Sequence, residues 1–289
     1  MSLFDVVLPT RGRSHTIGFA IASVLAQTEP EFRLRVVGDG CDDETERVVA
    51  TFTDPRVSFA RFPKGTGFGY GHRNTVLRSG NAPYVAYMTD DDLMFPDHLA
   101  LGRAALEEGS AGLVAFRSAQ VRFPDGVDPF FFAFDWKVPI LGGFLRNWFI
   151  GSANLVHRRA LFDRIGYWDA SLVRFGDREF YRRARVAGEA RYRAETTLLR
   201  FFAAEWDARY ADLREPPQKR YLERIGDPEW VRGFRALARS GPRGARVRFG
   251  QARDFLRFAA RSGPKFARFA FRRRAAIDTP PDGFYSRRK

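Results

Sequence analysis

Asp90, Asp91 and Asp92 follow directly on the segment YVAYMT in this 289-residue sequence. Like charges this close repel, and a cation is the simplest way to hold them together. Their hard oxygen donors suit Mn²⁺ or Mg²⁺, which can share its coordination with a substrate diphosphate. The preceding YVAYM is apolar, aromatic and β-branched, as expected of a short buried strand. Carboxylates at the carboxyl end of such a strand project into the crevice where open α/β sheets bind ligands. The plainer alternative is a solvated acidic turn that opens a helix at Phe95-Pro96-Asp97.

Two further residues could join that chemistry. Arg73 lies just after the glycine-rich run Lys64 to Gly71 and is in reach of the same crevice. That run fits neither G-x-G-x-x-G nor G-x-x-x-x-G-K-[ST], so it reads as a flexible approach to a helix rather than a phosphate cradle. Asp177 opens the helix EFYRRARVAG, where capping and the helix dipole alone would account for a carboxylate. Four histidines and one cysteine offer no zinc-ligand spacing. The lone Cys41 excludes an internal disulfide and fits a reducing cytosol.

The elements that must position these groups alternate. Asp5 to Pro9 reads as a strand, and the next apolar residues, Ile17, Ala20, Ile21, Val24 and Leu25, have helical spacing behind Ser14 as a cap. Leu34 to Val37 is a second strand, closed by Gly38-Asp39-Gly40. Asp42 and Asp43 lead a helix from Glu44 to Thr51, and Val57 to Phe62 is a third strand. Helices follow around His72 to Gly80 and Pro96 to Glu108, with a strand at Gly112 to Ser118. A further strand follows Asn154 and leads into the helix RRALFDRIG. Gly188 closes the last helix as a C-cap. This alternation argues for a Rossmann-like fold with a mostly parallel central sheet. The aromatic run FFFAFDW, Phe130 to Trp136, fits either core or one wall of an acceptor cleft.

Charge divides the chain. Residues 1–208 hold 26 Lys and Arg against 26 Asp and Glu, whereas residues 209–289 hold 22 against 8 and supply the whole net charge of +14. A neutral body, 1–208, therefore precedes a basic helical extension, 209–289, with a disordered end from Asp278. Within the extension, Phe249, Ala252, Phe255, Leu256 and Ala259 share a helical face interleaved with arginines. A basic amphipathic helix of this kind suits an anionic membrane surface, here through 245–274, or a Phe face packed on the body. No nucleic-acid motif accompanies the Arg and Phe pattern. No apolar run approaches the ~20 residues of a membrane span, and MSLFDVVLPT lacks the layout of a signal peptide. The expected location is cytoplasmic, peripheral on the inner face of the membrane if the extension binds it.

Taken in order, VVLPTRGR, Gln27 through VVGDGCDDET, GHRN, YVAYMTDDD, GYWD and GDREF resemble a family 2 glycosyltransferase of GT-A fold over about the first 205 residues. The resemblance implies an inverting, metal-dependent transfer from a nucleoside diphosphate sugar, UDP being the commonest choice, to a glycan or lipid-linked acceptor. It puts Thr10, Asp39, Arg73 and Asp90 on the nucleotide and Asp91 on Mn²⁺ or Mg²⁺ and the diphosphate. Asp177 falls at the catalytic base, Asp169 and Trp168 on the acceptor side, and Asp92 has no implied role. Thr89 stands where many members carry the first Asp, so the motif is a T-D-D variant. A histidine that some members supply after the last core strand is missing from LLRFFAAEWDARY, and Glu205 is a poor replacement. Two other readings compete: a nucleotidyltransferase acting on sugar phosphates, and a glycosyltransferase-like body kept as a binding module.

Overall fold

The computed structural model describes residues 2–122, 130–133, 150–201 and 216–240. The strands are β1 Phe4–Thr10, β2 Phe32–Asp39, β3 Val57–Phe62, β4 Tyr84–Tyr87, β5 Leu93–Met94, β6 Leu113–Arg122, β7 Phe130–Ala133, β8 Leu155–Arg158 and β9 Ala190–Phe201. The helices are α1 Ser14–Leu25, α2 Asp43–Ala50, α3 Tyr70–Arg78, α4 His98–Glu107, α5 Leu161–Ile165, α6 Gly176–Val186, α7 Pro217–Ile225 and α8 Pro228–Ser240. The strands lie in the order β3-β2-β1-β4-β8-β6-β9-β5, and β7 pairs with β6. Its longest pairings, β1 with β2 and β6 with β9, are parallel. Antiparallel β8, between β4 and β6, marks the reversal in the middle.

Alternation along β1 explains the two layers. Phe4, Val6 and Leu8 face the layer of α1, α2 and α4, packing with Ile17, Ile21 and Leu99. Val7 faces the other layer, with Leu77, Tyr87, Trp168 and Phe180. Burying each such side chain contributes about 1.5–3 kcal/mol, which fixes the register because a one-residue slip would reverse both faces. Asp5, on the second face, is buried against Arg159.

Some sequence expectations shift. Ser14 does not cap α1: it is the first helical residue, Arg13 precedes it, and no side-chain cap bond forms. Asp42 does cap α2, accepting from the Thr45 N–H at 2.8 Å. The helix expected over Pro96 to Glu108 is His98–Glu107, and between it and Asp92 a short strand forms, because Leu93 and Met94 pair with Leu199 and Leu198 of β9. The helix expected over RRALFDRIG is only Leu161–Ile165, and Gly166 ends it at φ +75°. Gly188, at φ +73°, closes α6 in the left-handed conformation.

Helices α7 and α8 rest on the body. Tyr221, Ile225, Val231 and Phe234 share a cluster with Leu93, Phe95, Leu199 and Phe201. Arg235 holds both carboxylate oxygens of Asp97 at 2.6 and 2.7 Å. The amphipathic pattern at 245–274, the disordered end expected from Asp278, Glu205 and the side chains of FFFAFDW lie outside the described residues; of that run, the backbone of Phe130–Ala133 forms β7. Among the described residues no helix is long and apolar enough to cross a membrane.

Candidate active site

The carboxyl ends of β1, β2 and β4 lie side by side, bringing Thr10, Asp39 and the Thr89–Asp92 loop to one edge of the sheet. Asp39 is buried there. Its Oδ2 accepts from Lys64 Nζ at 2.7 Å and its Oδ1 from the Gly65 N–H at 2.7 Å. Lys64 also donates to the carbonyls of Gly65 and Gly67. The glycine-rich run is therefore wrapped around Asp39. Gly69 has φ +68°, and a Cβ there would stand 2.7 Å from the Asp39 carboxyl carbon. Only glycine permits both the left-handed backbone and that close approach.

The three consecutive carboxylates have different surroundings. Asp92 is buried and tied down: its oxygens accept from the Thr89 hydroxyl at 2.6 Å and the Phe201 N–H at 2.9 Å, with Arg200 3.4 Å away. Burial first, then Asp91, pushes its pKa up, against the pull of Arg200. Its work is to fasten the loop to the end of β9. Asp90 is also pushed up, by burial and then by Asp91, while Arg13 and the Thr10 hydroxyl oppose the shift.

Asp90 and Asp91 converge on one cation, the Arg13 guanidinium, which lies 3.4 Å from Asp90 and in direct contact with Asp91. Burial disfavours the charge on Arg13, but Asp91 and Asp90 more than offset this and hold its pKa above the ordinary value. Among the described residues no three His, Cys, Asp or Glu side chains are grouped to cage a metal ion. Two carboxylates turned toward one positive group instead suit Mg²⁺ or Mn²⁺, which takes few protein ligands and completes its shell with phosphate and water.

Near Asp90 stands Arg73, also buried, whose guanidinium donates to the Phe68 carbonyl at 3.0 Å and lies over the Tyr70 ring at 4.9 Å. Its Nε has no hydrogen-bond partner among the described residues. Burial lowers its pKa, and the nearby Tyr70, Asp177, Tyr87 and Asp90 oppose that loss. Trp168 is 2 % exposed and belongs to the packing beneath: it stacks on Tyr70 and Phe180, donates Nε1–H to the Tyr87 hydroxyl at 3.1 Å, and its backbone N–H and carbonyl both bond to the side-chain amide of Asn74.

Asp177 sits in the first turn of α6, half-buried and accepting from the Arg178 N–H at 2.9 Å. Burial and the nearby Asp177 push the Tyr70 hydroxyl up to about 12, and that hydroxyl accepts from the Gly176 N–H at 2.9 Å. Phe175, just before, is the only non-glycine residue with positive φ among those described, at +65°. Such backbone strain gathers at functional sites. Asp169 is exposed and accepts from both the Ser171 N–H and hydroxyl, closing a turn.

The fold thus brings Thr10, Asp39, Asp90 and Asp91 to one sheet edge, and groups Arg73 with Asp177 over Tyr70. Sequence reading alone does not single out Arg13, or Lys64 at the start of the glycine-rich run. The one available signal was position: Arg13 and Lys64 lie two or three residues beyond the carboxyl ends of β1 and β3, the strands that pair with β4 and β2.

The pattern of the family described as glycosyl transferase family 2 matches residues 5–190. The chain is 31% identical over 101 residues to the UDP-Glc:alpha-D-GlcNAc-diphosphoundecaprenol beta-1,3-glucosyltransferase WfgD of Escherichia coli, which is 34% of this chain and 39% of that protein. It is 23% identical over 230 residues to the uncharacterized glycosyltransferase YwdF of Bacillus subtilis, covering 77% of this chain and 82% of the relative. Among solved structures, S. aureus TarS 1-349 in complex with UDP-GlcNAc superposes with a TM-score of 0.57 at 20% identity, covering 70% of this chain and 58% of that one. The mannosyltransferase PcManGT from Pyrobaculum calidifontis, in complex with GDP-Man and Mn²⁺, gives 0.54 at 16% identity, with 90% and 80% covered. The matched part therefore spans well under half of WfgD and less than two-thirds of TarS 1-349. At these identities the structural likeness speaks to the fold.

Proposed function

This chain belongs to glycosyltransferase family 2, and we propose that it moves a sugar from a nucleoside diphosphate sugar, UDP-linked by preference, to a hydroxyl of a glycan or lipid-linked acceptor with inversion. The observation that carries this reading is the pair Asp90 and Asp91 turned on a single positive group at the carboxyl edge of the sheet, with Arg73 close to both Asp90 and Asp177. The nucleotide-sugar complexes among the structural neighbours support a donor of this class.

In this reading Asp39 and Thr10 receive the nucleoside, Asp90 the ribose, and Arg73 the base. Asp91 would hold Mn²⁺ or Mg²⁺ beside the diphosphate, where a bound divalent ion would supply charge stabilisation to the departing diphosphate. On the opposite side of the sugar, Asp177 accepts the proton of the attacking hydroxyl. A positioned base contributes about 10²–10⁴-fold in rate. Attack from the face away from the nucleotide inverts the anomeric carbon. Asp169 belongs to the acceptor side, and Trp168 supports it from the core. Outside the catalytic body, the Arg and Phe pattern at 245–274 would hold the enzyme on an anionic membrane, near lipid-linked acceptors.

The test is release of UDP from UDP-sugars in the presence of Mn²⁺, with wild type, Asp177→Asn and Asp91→Asn compared. Asp177→Asn should lose about 10²–10⁴-fold in transfer while UDP binding, read by thermal shift, stays close to wild type. Asp91→Asn should lose the Mn²⁺-dependent part of UDP affinity. Normal turnover by Asp177→Asn would remove it from the base role, and pyrophosphate release instead of UDP would mark a nucleotidyltransferase.

A further inference from the structure

The backbone of Asp91 is held from outside the region that the family pattern covers. The side-chain amide of Gln218, in the first turn of α7, donates from Nε2 to the Asp91 carbonyl at 2.9 Å, across 127 residues of sequence. Gln218 is fully buried, as is Tyr221 one turn further along α7. Tyr221 and Ile225 then pack into the cluster formed by Leu93, Phe95 and Phe201, directly after the acidic loop. At its far end the same stretch is held again: Arg235 of α8 grips the Asp97 carboxylate and donates to the Thr196 carbonyl at 2.8 Å. Between these points Asp92 is bonded to the Phe201 N–H. Helices α7 and α8 therefore hold the stretch Asp91 to Asp97 at both ends, by the Asp91 carbonyl and by the Asp97 carboxylate.

We propose that Gln218 is a positioning residue for the metal-binding carboxylate, acting through the Asp91 peptide rather than touching the ion or the donor. The proposal rests on the reading that Asp91 holds the divalent cation against the diphosphate. A carboxylate can share an ion with a diphosphate only if its backbone keeps one orientation, because Mg²⁺ and Mn²⁺ tolerate little deviation from octahedral geometry. Groups that orient a ligand from one layer further out commonly change metal affinity by about 10–100-fold when removed. A buried amide on the ligand's own carbonyl is such a group. On this view the helices that follow the family region complete the catalytic body.

The experiment titrates Mn²⁺ in the presence of UDP, following free Mn²⁺ by electron paramagnetic resonance, with UDP affinity in EDTA measured alongside. Gln218→Met keeps the length and volume of the side chain but has no donor. It should weaken Mn²⁺ binding about tenfold and leave UDP affinity in EDTA unchanged. Ile225→Val thins the same helix's contact with the core without touching the Asp91 carbonyl, so it should retain wild-type Mn²⁺ affinity. If Gln218→Met does not fold, Gln218→Asn, whose arm is one methylene too short to reach, takes its place with the same expectation. Wild-type Mn²⁺ affinity in the Gln218 variant, beside a clear loss in Asp91→Asn, overturns the positioning role and leaves the metal assignment standing. Wild-type affinity in Asp91→Asn overturns both. An equal loss in Ile225→Val would assign the effect to general loosening and likewise defeat the claim.

Discussion

Arg13→Gln is the perturbation with the clearest physical signature. The guanidinium lies 3.4 Å from Asp90 and touches Asp91, with its side chain 33% exposed. A unit-charge pair at that distance is worth about 5 kcal/mol at an effective dielectric of about 20. Partial exposure and the desolvation of Arg13 itself discount this to about 2 kcal/mol of lost stability in the metal-free protein. For a chain of this size that lowers Tm by roughly 5 °C. The pH dependence has a definite sign. Asp90 and Asp92 have folded pKa values raised above their unfolded ones, so their contribution is greatest under acid conditions and lost as pH rises through the folded values. Removing Arg13 raises Asp90 further. The gap between wild type and variant should therefore be widest near pH 8 and should narrow toward pH 5, where Asp90 takes up a proton. It should also close in saturating Mn²⁺ and UDP, when an ion takes over the neutralisation. Thermal melts at both pH values, with and without Mn²⁺ and UDP, read all of this. Coincident melts across the series would refute the view that Arg13 is the counter-charge of Asp90 and Asp91.

Other outcomes follow from the same geometry. Gly69→Ala would drive a methyl group into the Asp39 carboxylate from a backbone at φ +68°; it should lower UDP affinity at least tenfold, about 1.4 kcal/mol, in a calorimetric titration, and unchanged affinity would detach Asp39 from the nucleotide. His157 is buried, bonded to the Tyr87 hydroxyl at 2.8 Å and to the Arg158 carbonyl, and burial lowers its pKa to about 4. Its folded value is depressed, so its stabilising contribution is complete above the unfolded value of about 6.5 and is lost as pH falls toward the folded one. Denaturant unfolding should show the gap between wild type and His157→Gln narrowing by about 2 kcal/mol between pH 7 and pH 5; a gap that widens would contradict a neutral His157. His98, lowered to about 3 by its own burial, should behave alike.

The sequence determined the alternation of strands and helices, because buried strands and amphipathic helices leave different apolar periods. Val57–Phe62 stands as read, and β1, β2 and β4 end where the carboxylates and Thr10 begin. Residue types were legible too: a cluster of acids after an apolar strand is a place where a cation can bind. Division of labour among those acids was not. Asp90, Asp91 and Asp92 are identical in sequence terms, and only the arrival of β9 makes Asp92 a tether by bringing the Phe201 N–H to it. Arg13 and Lys64 were cations in loops until the parallel pairings of β1 with β4 and of β2 with β3 set them against Asp91 and Asp39. Gln218 reaches Asp91 because Tyr221 and Ile225 must bury their apolar faces against β5 and β9. Periodicity is a local property that a sequence records directly. Which side chain satisfies which buried polar group depends on contacts between residues far apart in the chain, and those exist only once the sheet has closed around them.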